Sequence, residues 1–78
     1  MNNIKRILLA YMNIGGLTQE DMGNLLGISR QSFNYKLNGR VAFTDKEKIK
    51  IAELFNTDVG SIFFSPNVSN VEIKVSVQ

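Results

Sequence analysis

The sequence predicts a mainly α-helical domain of five short helices followed by one C-terminal strand, and three observations carry that expectation. Apolar residues recur at the three- and four-residue spacing of amphipathic helices from Ile4 to Phe63. Capping residues and glycines or asparagines bracket those stretches at helix-length intervals. Beyond Pro66 the period changes to two: Val71, Ile73, Val75 and Val77 alternate with Glu72, Lys74, Ser76 and Gln78, as in a half-buried strand.

The elements follow in order. Asn3 is a candidate cap for a first helix whose Ile4, Ile7, Leu8, Tyr11 and Met12 form one apolar face, and Gly15-Gly16 ends it. Thr18, three residues before Asp21, opens a second helix with Met22, Leu25 and Leu26 turned inward; Gly27 closes it. Only Ile28 separates Gly27 from Ser29, the N-cap of a third helix that runs through Phe33 and Leu37 to Asn38-Gly39. After a loop from Arg40 to Phe43, Thr44 and Glu47 form a capping box for a fourth helix burying Ile51, Ala52 and Phe55, with Asn56 as a left-handed stop. Asp58 caps a fifth helix carrying Ile62 and Phe63, which Ser65-Pro66 terminates. The expected organisation is a helical domain over residues 1–64, then a linker and strand over 65–78.

Composition closes several function classes. At 78 residues, one compact core is the limit and no separate catalytic domain fits. There is no cysteine and no histidine, so disulfides, thiolate or imidazole metal sites and the commonest general base are absent. Neither a glycine-rich phosphate loop nor a nucleophile-base pair can be assembled, so the chain is expected not to be an enzyme, with no cofactor, no metal and no small-molecule ligand. The apolar run Ile7 to Met12 behind Lys5-Arg6 is shorter than a secretory leader core, and no stretch is long enough to span a bilayer. The expected setting is soluble and cytoplasmic, away from membranes.

Net charge is only +2, but it is unevenly spread. Between Ser29 and Lys50 stand Arg30, Lys36, Arg40, Lys46, Lys48 and Lys50 against only Asp45 and Glu47. Such a local excess suits an anionic partner, although a lysine run by itself more often marks a solvated helix face.

The most informative segment runs from Gln19 to Asn38. Two short helices cross closely only if a small residue sits at the approach, the turn tolerates positive φ, and apolar residues lock both helices to a core. Gly23, Gly27 and the set Met22, Leu26, Ile28 and Phe33 meet those needs. Here the chain resembles the Cro/CI-type helix-turn-helix proteins, the phage repressors and related regulators, over roughly Leu17 to Phe64. The resemblance rests on Leu17-Thr18-Gln19-Glu20, Leu26-Gly27-Ile28-Ser29-Arg30, Asn38-Gly39 and Lys50-Ile51-Ala52. Two positions depart from the family: Gly23 replaces the usual alanine, at a helix cost of up to about 1 kcal/mol, and Lys36 stands where a core aliphatic is usual.

The resemblance implies a compact lambda-repressor-like fold and a transcriptional regulator, most simply a Cro-like repressor, whose third helix enters the major groove of double-stranded DNA. It implies base contacts from Arg30, Gln31, Asn34 and Tyr35. The chemistry agrees: amides pair bidentately with adenine, and arginine with guanine or phosphate. Phosphate contacts are expected from Thr18, Gln19, Ser29, Lys36, Asn38, Arg40, Thr44 and Lys46. Phe33, Phe43, Phe55 and Phe63 sit at core spacing and are expected to pack rather than stack on bases; Lys48 and Glu53 are expected on the solvated side of the fourth helix.

A lone strand needs a mate. Val71, Ile73, Val75 and Val77 are therefore expected to pair with the same strand of a second copy, giving a homodimer that reads a two-fold operator. Frayed ends are the plainer alternative for this tail. The alternative function is an antirepressor or protein-interaction module that keeps the fold, marked by weak and sequence-indifferent DNA binding.

Overall fold

The structure, a computed structural model, describes residues 3–64. Five helices follow one another: α1 (Asn3–Gly15), α2 (Gln19–Leu26), α3 (Arg30–Leu37), α4 (Asp45–Leu54) and α5 (Val59–Phe63). Among the described residues there is no strand. Val71, Ile73, Val75 and Val77, with the rest of the expected linker and strand, lie outside them.

Local chemistry sets the helix boundaries. The Thr18 and Thr44 side chains each accept the N–H three residues on, from Asp21 and Glu47, and both acids return a bond to the cap N–H. Ser29 and Asp58 cap α3 and α5 through Ser32 N–H and Ser61 N–H. Each cap satisfies a donor that the first turn leaves without a partner, worth about 1 kcal/mol. Asn3 differs from expectation: it lies inside α1, and its Oδ1 accepts a bond from the Arg6 guanidinium at 3.2 Å instead of capping the helix.

The first four helices end alike. In each, an N–H reaches back five residues and its predecessor reaches back three, as in Leu17 to Met12, Ile28 to Gly23, Arg40 to Tyr35 and Thr57 to Ala52. The reversal needs one left-handed residue, supplied by Gly16, Gly27, Gly39 and Asn56. These bonds satisfy carbonyls that the last turn leaves open and let the chain turn sharply enough to pack such short helices together.

The core is built from Leu8 and Met12 of α1, Met22 and Leu26 of α2, Phe33 and Leu37 of α3, Ile51 of α4, and Ile62 and Phe63 of α5. Phe43, from the loop before α4, wedges between Phe33 and Phe63 in edge-to-face contacts at centroid distances of 6.0 and 5.4 Å. Tyr11 stacks on Phe55 at 4.9 Å, tying α1 to the end of α4. The expected packing role of the phenylalanines is therefore seen at all four positions, with Phe55 half-buried. α2 packs chiefly on α3, α2 also touches α4, and α1 bridges α3 and α5, so α3 is held by α2 and α1.

Candidate nucleic-acid interface

The close crossing of α2 and α3 starts at Gly23. A Cβ there would lie 2.8 Å from the Ile28 carbonyl oxygen and 3.2 Å from the Ser29 carbonyl, closer than real Cβ atoms approach backbone. The close approach that the sequence placed at Gly23 is therefore seen, and the tertiary contact outweighs the helix propensity that favours alanine. Gly27, at φ 72°, takes the left-handed turn that launches Ile28 and Ser29 into α3, and nothing crowds it. Strain, not space, is what reserves that position for glycine.

α3 then divides into two faces. Phe33 and Leu37 are fully buried, while Arg30 and Gln31 are exposed and Asn34 and Tyr35 half-buried. The outward side chains are mutually ordered. Gln31 Nε2 donates to Tyr35 Oη at 2.7 Å, and the Arg40 guanidinium, arriving from the turn after α3, lies 4.6 Å over the Tyr35 ring centroid. Asn34 Nδ2 donates to Gln19 Oε1 at 3.0 Å, a bond across the angle between α2 and α3. The four residues expected to read bases thus share one helix, with Gln19 and Arg40 bracing its two sides.

Lys36, expected at a phosphate, is turned toward α4. Its ammonium does not join the outer face; it donates to both Glu47 oxygens, at 2.6 and 2.8 Å, with the two side chains only 12% and 11% exposed. Glu47 Oε1 also accepts the Thr44 N–H at 2.9 Å, so one carboxylate caps α4 and anchors α3. Burial pushes the Glu47 carboxyl up, but hydrogen bonds from Lys36 and Thr44, with the lysine charge, more than offset it and hold the group below its ordinary 4.5. The position is inward, and the acid of the next capping box neutralises the lysine there. A lysine at a core register paired with a capping-box glutamate on the next helix was the signal in the sequence; spacing alone could not join them.

The remaining residues expected at phosphates divide by what already holds them. Arg40 and Lys46 are exposed cations, and Gln19 is half-buried with its oxygen engaged by Asn34. Thr18 and Thr44 use their oxygens as caps but lie at the surface. Asn38 is exposed, and its Nδ2 donates to the Asn34 carbonyl at 2.8 Å. Ser29 is exposed, and its Oγ accepts the Ser32 N–H and donates to Ser32 Oγ, both at 3.0 Å. With Lys36 and Glu47 mutually neutralised, Arg30, Arg40, Lys46, Lys48 and Lys50 stand against Asp45, and the local positive excess survives intact.

Lys48 was expected on the solvated side of α4 and is instead half-buried, its Nζ 5.0 Å above the Phe64 ring and 5.8 Å above Phe63. It borders a cavity of about 260 Å³ whose lining also includes Ile4, Val41, Phe43 and Phe63. Among the described residues no group of three or more histidine, cysteine, aspartate or glutamate side chains gathers to hold a metal, and no helix is long and apolar enough to cross a membrane. Compared with known proteins, the chain matches no family model, no curated protein and no solved structure.

Proposed function

We propose that this chain is a sequence-specific double-stranded DNA-binding regulator of transcription, a Cro-like repressor with a lambda-repressor-like helix-turn-helix fold acting in the cytoplasm. The observation that carries the reading is the division of α3: Phe33 and Leu37 fix one side to the core while Arg30, Gln31 and Tyr35 stand along the other. A helix so mounted, crossed at its start by α2, presents its N-terminal half to base edges in a major groove. Around it Arg40, Lys46 and the N-terminus of α2, where Gln19 keeps its amide nitrogen for an acceptor, supply positive or donor groups to the phosphates on either side. Thr18, Asn38 and Thr44 add surface donors nearby. Ser29, exposed at the start of α3, joins them, whereas Lys36 is paired with Glu47.

A homodimer completes the proposal, with the alternating residues Val71 to Val77 pairing across a two-fold axis and two α3 helices reading half-sites roughly 34 Å apart. Selection of bound sites from randomised duplex DNA tests the function. An enriched palindrome supports both the reading of bases and the two-fold assembly. Binding without any sequence preference overturns the regulator and points to the protein-interaction alternative. Sedimentation of a chain lacking residues 70–78 tests the assembly separately: a shortened chain that remains dimeric with undiminished operator affinity contradicts the role given to the tail.

A further inference from the structure

The Gln31–Tyr35–Arg40 cluster goes beyond a list of base-contacting side chains. An exposed glutamine ordinarily samples several rotamers, and fixing it on binding costs entropy. Here Gln31 Nε2 already donates to Tyr35 Oη at 2.7 Å, and Tyr35 is itself held by the Arg40 guanidinium 4.6 Å over its ring. The Arg40 backbone N–H also donates to the Tyr35 carbonyl at 2.9 Å, so the cation is anchored at the residue it covers. A primary amide has two N–H bonds. With one directed to the tyrosine oxygen, the other N–H and Oε1 remain as a donor-acceptor pair.

Resting on the DNA-binding reading, we propose that Tyr35 is a positioning residue that holds Gln31 for bidentate recognition of one adenine, with Arg40 as the clamp that keeps the tyrosine in place. Adenine is the base that fits: its N7 accepts and its N6 donates in the major groove, matching the free amide edge of Gln31, whereas guanine offers two acceptors there and rejects Oε1. The neighbouring amide is disposed otherwise. Asn34 Nδ2 is drawn back to Gln19 Oε1 and is half-buried, so the adenine preference belongs to Gln31 rather than being shared between the two. Lys36, next to Tyr35 in sequence, is bound to Glu47 and does not compete for the same base edge.

The test measures base preference at each operator position for the wild type, Q31A, Y35F and the double variant, by competition among single-base operator variants. Y35F keeps the ring beneath Arg40 and removes only the hydroxyl. The expected result is that Q31A and Y35F both lose discrimination for adenine at the same position, Q31A by about tenfold or more and Y35F by a smaller factor, and that the double variant loses no more than Q31A alone. A Y35F protein with unchanged adenine preference, a loss at a different base pair, or independent losses that multiply in the double variant overturns the positioning role. A wild type that prefers no duplex sequence overturns the DNA-binding function itself. Selective wild-type binding with the same adenine preference retained in Y35F overturns this inference alone.

Discussion

On the outer side of α3, Arg30 and Gln31 are exposed and Tyr35 is half-buried, with Gln31 donating to the Tyr35 hydroxyl and Arg40 lying over its ring. On the inner side of the same helix, Phe33 and Leu37 are fully buried and Lys36 is turned against Glu47. Arg30 and Lys36 are six positions apart, both cationic, and meet opposite fates. Charge alone does not assign a side chain to the surface. A lysine goes inward where the helix register points it there and a carboxylate with its own backbone donor is waiting. The comparison separates two kinds of consequence: changes on the inner side act on folding, and changes on the outer side act on binding.

Breaking the inner side has the largest expected effect. Glu47→Ala removes the partner of Lys36 and one arm of the α4 capping box together, leaving a nearly buried ammonium uncompensated, at about 3–5 kcal/mol of unfolding free energy in urea titration. A loss under about 1 kcal/mol, the range of surface pairs, refutes the inward assignment of Lys36. Replacing both members by leucine sharpens the point, because an apolar pair of similar volume is expected to recover most of the loss.

Gly23→Ala comes next. It forces a methyl group into the space 2.8 Å from the Ile28 carbonyl oxygen and is expected to destabilise by about 1–3 kcal/mol, the range of overpacking, although alanine favours helices. A raised melting temperature means that α2 and α3 do not cross as closely as described. On the outer side, Gln31→Ala is expected to cost about 1–3 kcal/mol in binding the preferred DNA site, with unfolding free energy unchanged to within about 0.5 kcal/mol. Equal losses in stability and binding erase the distinction between the two faces.

Gly27→Ala is expected to cost about 1 kcal/mol of stability, since left-handed φ strains any residue with a Cβ while nothing else crowds the site. The smallest effect is acid sensitivity. Asp21, held down by the Thr18 N–H, and Asp58, held down by Ser61, join Glu47 below their ordinary values of 3.8, 3.8 and 4.5. Carboxyls whose folded-state pKa is depressed contribute stability that is complete above the ordinary values and is lost as pH falls through the lower folded-state ones. The melting temperature should therefore fall as the solution is acidified below that range, and more shallowly in Glu47→Gln. An equal slope in the variant removes Glu47 from the account.

Much of this was legible in the sequence because it rests on short-range chemistry. The Thr18, Ser29, Thr44 and Asp58 caps and the stops at Gly16, Gly27, Gly39 and Asn56 involve residues within five positions of one another. So do the apolar faces of α1 and α4. What was not legible lies between elements: the burial of Lys36, the Lys48 ammonium over Phe63 and Phe64, and the bond from Asn34 to Gln19. Ile62, read in the sequence as an apolar residue of the fifth helix, is fully buried, whereas Ile49 and Leu54 of α4 are exposed.

The amino-acid order by itself determined where α2 to α5 begin, where α1 to α4 end and which residues form their apolar sides, since hydrogen bonds within a turn and the period of 3.6 residues are local properties of the chain. Only the tertiary structure decided which cation is neutralised and which is offered outward. That choice depends on an ion pair eleven residues apart in sequence, brought together when α3 and α4 settle on a common core, and no spacing rule reaches so far.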